Sequence, residues 1–228
     1  MPASIVLGIS FIIGMFLLGT KLYHAKKSSQ FVSVKGLAEE AVKADQGSWT
    51  ISSANNGNDL EYIKNNINQQ VSTIEEWLGE KGFAEDEIKV EELSLQENIY
   101  GNVQYRYSAR LQISLATSKV DLLDKVSGQA NQLIDRGVSL TGDRWLTRPR
   151  YFFTQINEIK PALLAESTKA ALRSAEEFAE NSGAKVGGIR RASQGIISLI
   201  PANRVNESEE FYLHKIARVV SSIDYYIE

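Results

Sequence analysis

Hydrophobic residues change their spacing twice in the middle of this chain. Ile63, Ile67, Val71, Ile74 and Leu78 recur at helical spacing, whereas Val103, Tyr105, Tyr107, Ala109, Leu111, Ile113 and Leu115 alternate one by one. Val120, Leu123, Val126, Ala130 and Leu133 then return to helical spacing. A helix buries a stripe with period 3.6 and a strand buries one face with period 2, so the centre of the chain reads helix, strand, helix.

The flanks extend the pattern. In "FVSVKGLAEEAVKADQGSWTISSANNG" (31–57) Phe31, Val32 and Val34 favour strands, Gly36 reads as a bulge or kink, and "SWTISS" alternates. The first helix takes Asn58 or Asp59 as its cap and Gly79 or Gly82 as its stop. Residues 87–117 predict a hairpin turning at "NIYGN", and Gly137 ends the second helix. "RWLTRPRYFFTQ" (144–155) is a third strand region. A third helix starts near Asn157, tolerates Pro161 in its first turn and stops at Gly183, with Ala165, Ala170, Ala171, Ser174 and Ala175 on its buried side. "IRRASQGIISLIP" and "FYLHKIARVVSSIDYYI" predict two long strands around the polar, acidic "ANRVNESEE". Strands that pair locally between about three amphipathic helices give an α+β domain with largely antiparallel sheet, not a doubly wound parallel one.

The N-terminus has a different character. From Ala3 to Gly19 the chain is apolar, including Ile5, Leu7, Ile9, Phe11, Ile12, Ile13, Phe16, Leu17 and Leu18, and it then turns basic at Lys21, Lys26 and Lys27. A helix running on through Tyr23 rises about 31 Å, enough to cross a bilayer core of about 30 Å. A secretory signal needs a basic start and a small-x-small cleavage site, and neither "YHA" nor the residues before the apolar run supply them. A buried core helix would show a polar face, and only Ser4 and Ser10 interrupt this one. The expectation is a retained anchor and basic flank at residues 1–27 and one domain at 28–228. The lysines alone would place that domain in the cytoplasm, but the rule weakens ahead of a long domain and leaves orientation open.

Charge and composition narrow the function. Lys21, Lys26 and Lys27 are three of 25 basic residues and precede all 28 acidic ones, so the domain carries 22 basic against 28 acidic residues, a net of −6. No clustered basic stripe is present, which argues against nucleic acid as a partner. With no cysteine, thiol catalysis, disulfides and thiolate metal sites are excluded. The two histidines are His24, beside the anchor, and His214, in a predicted strand. There is no nucleophile elbow, no phosphate-binding loop and no dinucleotide fingerprint, and "GAKVGG" follows a helix instead of opening one. The carboxylates at Glu75–Glu76, Glu85–Glu87, Glu91–Glu92 and Glu207–Glu210 read as solvated faces or loops. No catalytic residue, metal ligand or cofactor is therefore expected. The aromatic group Trp145, Tyr151, Phe152 and Phe153 reads either as strand core or as a contact with another subunit or the membrane surface.

"FVSVKGLAEEAVKAD", "YRYSARLQISL" and "ALRSAEEFAENSGAKVGGI" together resemble the SIMPL-domain family. The match rests on Val32, Val34, Gly36 and Asp45, on Tyr105 and Tyr107, and on the alanine-rich helix ending at Gly183 and Gly187. Many members have proline before the aspartate, where this chain has Ala44. The family includes bacterial periplasmic immunogenic proteins and proteins linked to oxidative-stress defence, and it has no agreed activity and no catalytic residues to carry over. The resemblance implies export, so a single-pass inner-membrane protein with its domain in the periplasm. It also implies a ring- or cage-like homo-oligomer in the cell envelope, with membrane lipid and further copies of the chain as its partners. The alternative is a periplasmic ligand-binding or enzymatic domain with an unrecognised pocket.

Overall fold

The computed structural model describes residues 14–15, 30–99, 104–142 and 148–228. The predicted anchor therefore lies almost wholly outside the described residues, among which no helix is long and apolar enough to cross a membrane.

From residue 30 on, the strands and α-helices among the described residues follow one another as β1 (Phe31–Lys43), β2 (Gln46–Gly57), α1 (Leu60–Glu80), β3 (Ile88–Glu97), β4 (Tyr107–Thr117), α2 (Val120–Ser127), α3 (Asn131–Asp135), β5 (Arg150–Phe152), α4 (Ile156–Ser182), β6 (Val186–Gln194), β7 (Ser198–Pro201) and β8 (His214–Ile227). They form two sheets, one ordered β1-β8-β6 with β7 also on β8, the other ordered β3-β4-β2-β5. The pairings of β2 with β4 and β5, of β3 with β4 and of β6 with β8 are antiparallel, so the chain is α+β. It divides into two compact units, the first drawn from Met1–Glu40, Asn157–Leu199 and Ala217–Glu228, the second from Ala41–Ile156 and Ile200–Ile216.

In the first unit, α4 lies on the sheet along a stripe of four-residue spacing: Leu163, Ser167, Ala171, Ala175 and Ala179 are buried. Ala165 and Ser174, expected on that side, are exposed; the helix presents a narrower stripe than its alanine content suggests. Small side chains bring the helix close to β1. Gly36 completes that approach, since a Cβ there would stand 1.8 Å from the Ser167 carbonyl oxygen. It is a close-contact glycine, a role that its sequence context did not suggest. The Ser167 and Ser221 hydroxyls bond across the same interface at 2.7 Å, which satisfies both where water is excluded.

The second unit carries the larger core. Asp59 caps α1 by accepting the Glu61 and Tyr62 amides at 2.8 and 3.0 Å. Gly82 ends the turn beyond the helix at φ 100°, where glycine is favoured. The buried face of α1, Ile63, Ile67, Ile74, Trp77 and Leu78, packs with Trp49 and Ile51 of β2 and with Leu111, Ile113 and Leu115 of β4. Two expectations change here. The second predicted helix breaks at Gly128 into α2 and α3, and the break lets both Val126 and Leu133 reach the core. Of the third strand region, the described residues 148–155 hold a strand only at Arg150–Phe152. In the first unit, the predicted strand through "SQGIISLIP" pauses at Gly195, whose amide bonds the Val220 carbonyl where a Cβ would lie 2.3 Å from that oxygen.

Candidate functional site

Alternation along β2 sends Trp49 and Ile51 into the core and leaves Ser48, Thr50 and Ser52 half-exposed on the opposite face. Register then sets their neighbours: Arg150 of β5 lies opposite Ser48, and Gln112 of β4 lies opposite Ser52. With Arg148 these residues line a groove of about 260 Å³. The groove shares Thr50, Ser52 and Arg148 with a larger cleft of about 540 Å³, whose wall adds Trp49, Ile51, Leu133, Leu140 and Phe211 along with Asp124, Ser127 and Thr141. One hollow is rich in hydroxyl and guanidinium groups and the other is mostly apolar.

Tyr151 holds Asp124, one of the residues that line the cleft. It is 2% exposed, and its hydroxyl donates to Asp124 at 3.0 Å. Burial, then the charge of Asp124 and the hydrogen bond to it, push this phenol far above its ordinary value of 10.0, so it stays protonated at any physiological pH. On the opposite rim the loop read as a solvated acidic stretch is instead tied down by charge. Glu207 lies 3.5 Å from Arg148, Glu210 lies 3.9 Å from Arg150, and Glu209 pairs with the buried Lys215. The Arg148 guanidinium also sits 4.7 Å from the Phe211 ring centre, within cation–π reach.

Asp45, the aspartate of the recognised motif, is a structural residue. Its carboxylate accepts the Thr154 amide at 3.0 to 3.1 Å and the Thr154 hydroxyl at 3.1 Å. Its own amide donates to the Phe152 carbonyl, and the Ala44 amide donates to Leu213. The turn thus ties β5 and the start of β8 to β2, and it does so with Ala44 in place of proline.

Of the four aromatics singled out, Trp145 lies outside the described residues. Tyr151 is core, Phe152 is 41% exposed and Phe153 is half-buried. His214 is exposed at the start of β8. No group of three metal-ligating side chains occurs among the described residues. The β2 groove was not legible in the sequence because its parts lie far apart in the chain. Only "SWTISS" carried a signal, an alternation that puts its hydroxyls on one face.

A further apolar feature lies on β3. Val90, Leu93 and Leu95 stand in register with the buried Ile113, Leu111 and Ala109 of β4, yet they are 36%, 54% and 47% exposed. They lie in register with core residues and yet stay part-exposed among the described residues.

Two antiparallel sheets, each layered with helix, with a polar groove beside a more apolar cleft, define an α+β protein. Residues 32–212 match the family described as "SIMPL: Protein of unknown function (DUF541)". That is most of the chain, and the chain belongs to this family. No curated protein matches it. Among solved structures it is similar to an uncharacterized conserved protein from Listeria innocua, at 12% identity over 79% of this chain and 90% of that one, with a TM-score of 0.18. It is also similar to a hydrolase from Listeria innocua, at 9% identity over 83% and 91% of the two chains, with a TM-score of 0.17. At such TM-scores neither likeness bears on fold or activity.

Proposed function

We propose that the protein is a membrane-anchored envelope protein, with its folded part in the periplasm, that works by assembling with copies of itself and not by catalysis. The observation that carries this reading is the exposed apolar row on β3, Val90, Leu93 and Leu95, joined by Ile99 at 67% exposure. A monomer in water gains by covering such a row. The strand also limits how it is covered. A bulge between Val90 and Glu92, with Lys89 and Glu91 around it, blunts the edge against strand addition. The contact is therefore packing of side chains onto the face. The apolar run at residues 3–19 supports the anchor, family membership supports export, and one anchor per copy orients every copy alike on the membrane. In a ring the contact repeats head to tail and closes by rotation, with Phe152 and Phe153 as further candidates for it.

Light scattering on the detergent-solubilised full chain tests the assembly. The protein mass, corrected for detergent, should be a multiple of 25.3 kDa. A single-protomer mass at micromolar concentration contradicts the reading. An alkaline phosphatase fusion after Glu228 should be active, and an inactive fusion beside a fluorescent GFP fusion would place the domain in the cytoplasm.

A further inference from the structure

We propose that the hollows along β2 form one binding site for an anionic amphiphile, a ligand with a phosphate or carboxylate head and a short apolar body. The inference does not depend on self-assembly. The head site is built from solvent-accessible groups whose side chains hydrogen-bond to no described residue, with Arg150 ion-paired at its edge to Glu210. The hydroxyls of Ser48, Thr50 and Ser52 and the amide of Gln112 line the groove with no side-chain hydrogen bond among the described residues. Arg150 makes no hydrogen bond to a described residue either; its nearest carboxylate, Glu210, stands at 3.9 Å, beyond bonding distance. Five guanidinium donors in a fixed fork, three rotatable hydroxyls and an amide converge on one groove, and this donor set suits a tetrahedral or planar oxyanion.

The body site adjoins it. Thr50, Ser52 and Arg148 are common to both hollows, so an anion on the groove has the apolar cleft directly beside it. Ile51, Leu133 and Leu140 give that cleft its apolar lining. Its volume of about 540 Å³ lies within the range of small-molecule sites, roughly 300–1,000 Å³. A purely inorganic anion would leave the cleft unused, and a neutral hydrocarbon would make no use of the donors of the groove. Only a molecule with both parts satisfies both hollows.

The test is isothermal titration calorimetry on the full chain reconstituted with phosphatidylcholine. Hexyl phosphate is the probe, with inorganic phosphate and hexanol as its separate halves. Hexyl phosphate should bind at least about ten-fold more tightly than either half. Arg150→Gln should weaken it about ten-fold and Thr50→Val a few-fold, with circular dichroism unchanged. A second arm separates two sources of the same chemistry. If a bilayer lipid supplies the head group, replacing part of the phosphatidylcholine with phosphatidylglycerol should weaken the hexyl phosphate isotherm by competition. If a free organic anion is the natural ligand, the isotherm should not change. Hexyl phosphate binding no tighter than inorganic phosphate or hexanol overturns the proposal. So does undiminished binding by a folded Arg150→Gln variant.

Discussion

Lys215 is fully buried, and its ammonium donates to both the carbonyl and the carboxylate of Glu209. A buried charge without its partner costs far more than the pair contributes. Glu209→Ala should therefore destabilise the protein by about 3 kcal/mol, and the similarly shaped but uncharged Lys215→Met by clearly less. Urea midpoints of the two variants compare them directly. Glu87 offers a pH test. Burial raises its pKa, but bonds from the Thr117 hydroxyl, the Ala84 amide and Lys119 outweigh that and hold it below the ordinary 4.5. A lowered carboxyl pKa stabilises the fold fully above about pH 4.5, and the stabilisation is lost as pH falls through the folded value. Glu87→Gln should be about 1–2 kcal/mol less stable than the parent at pH 7 and should converge with it near pH 3. A constant difference across that range would show that the bonds do not depend on ionisation.

Among the elements, those with long periodic faces were legible before the fold was known. The buried residues of α1 and the alternation of β4 follow from spacing alone, because each covers one continuous core. Failures occurred where a tertiary contact overrides the local pattern. The split at Gly128 serves the core positions of Val126 and Leu133, which no local rule contains. Gly36 has the same lesson, since its neighbour Ser167 lies far along the chain. The α4 stripe was half legible: alanine content announced a close approach, but a four-residue stripe and not the count decides which alanines are buried. Gly36→Ala places a methyl group against the Ser167 carbonyl and Ala171, so it should cost about 3 kcal/mol by forcing α4 off the sheet. Thermal unfolding measures that cost, and a neutral substitution would mean that the helix shifts freely. The β2 groove was the least legible element, because cross-strand register and not sequence proximity brings Arg150 to Ser48 and Gln112 to Ser52.

At the scale of the whole molecule, the exposed apolar row on β3 is the physical reason for the proposed self-assembly. Val90, Leu93 and Leu95 stand in register with core residues of β4, yet they stay 36%, 54% and 47% exposed. Their exposure makes polar substitution there cheap for the protomer and costly for any contact that buries them. The deciding measurement is the native mass of the full chain carrying Leu93→Glu and Leu95→Glu, compared with the parent at equal micromolar concentration and with circular dichroism on both. The account predicts an assembled parent and a folded variant at protomer mass. A folded variant that keeps the parent's assembled mass, or a parent that is itself a protomer, would contradict it.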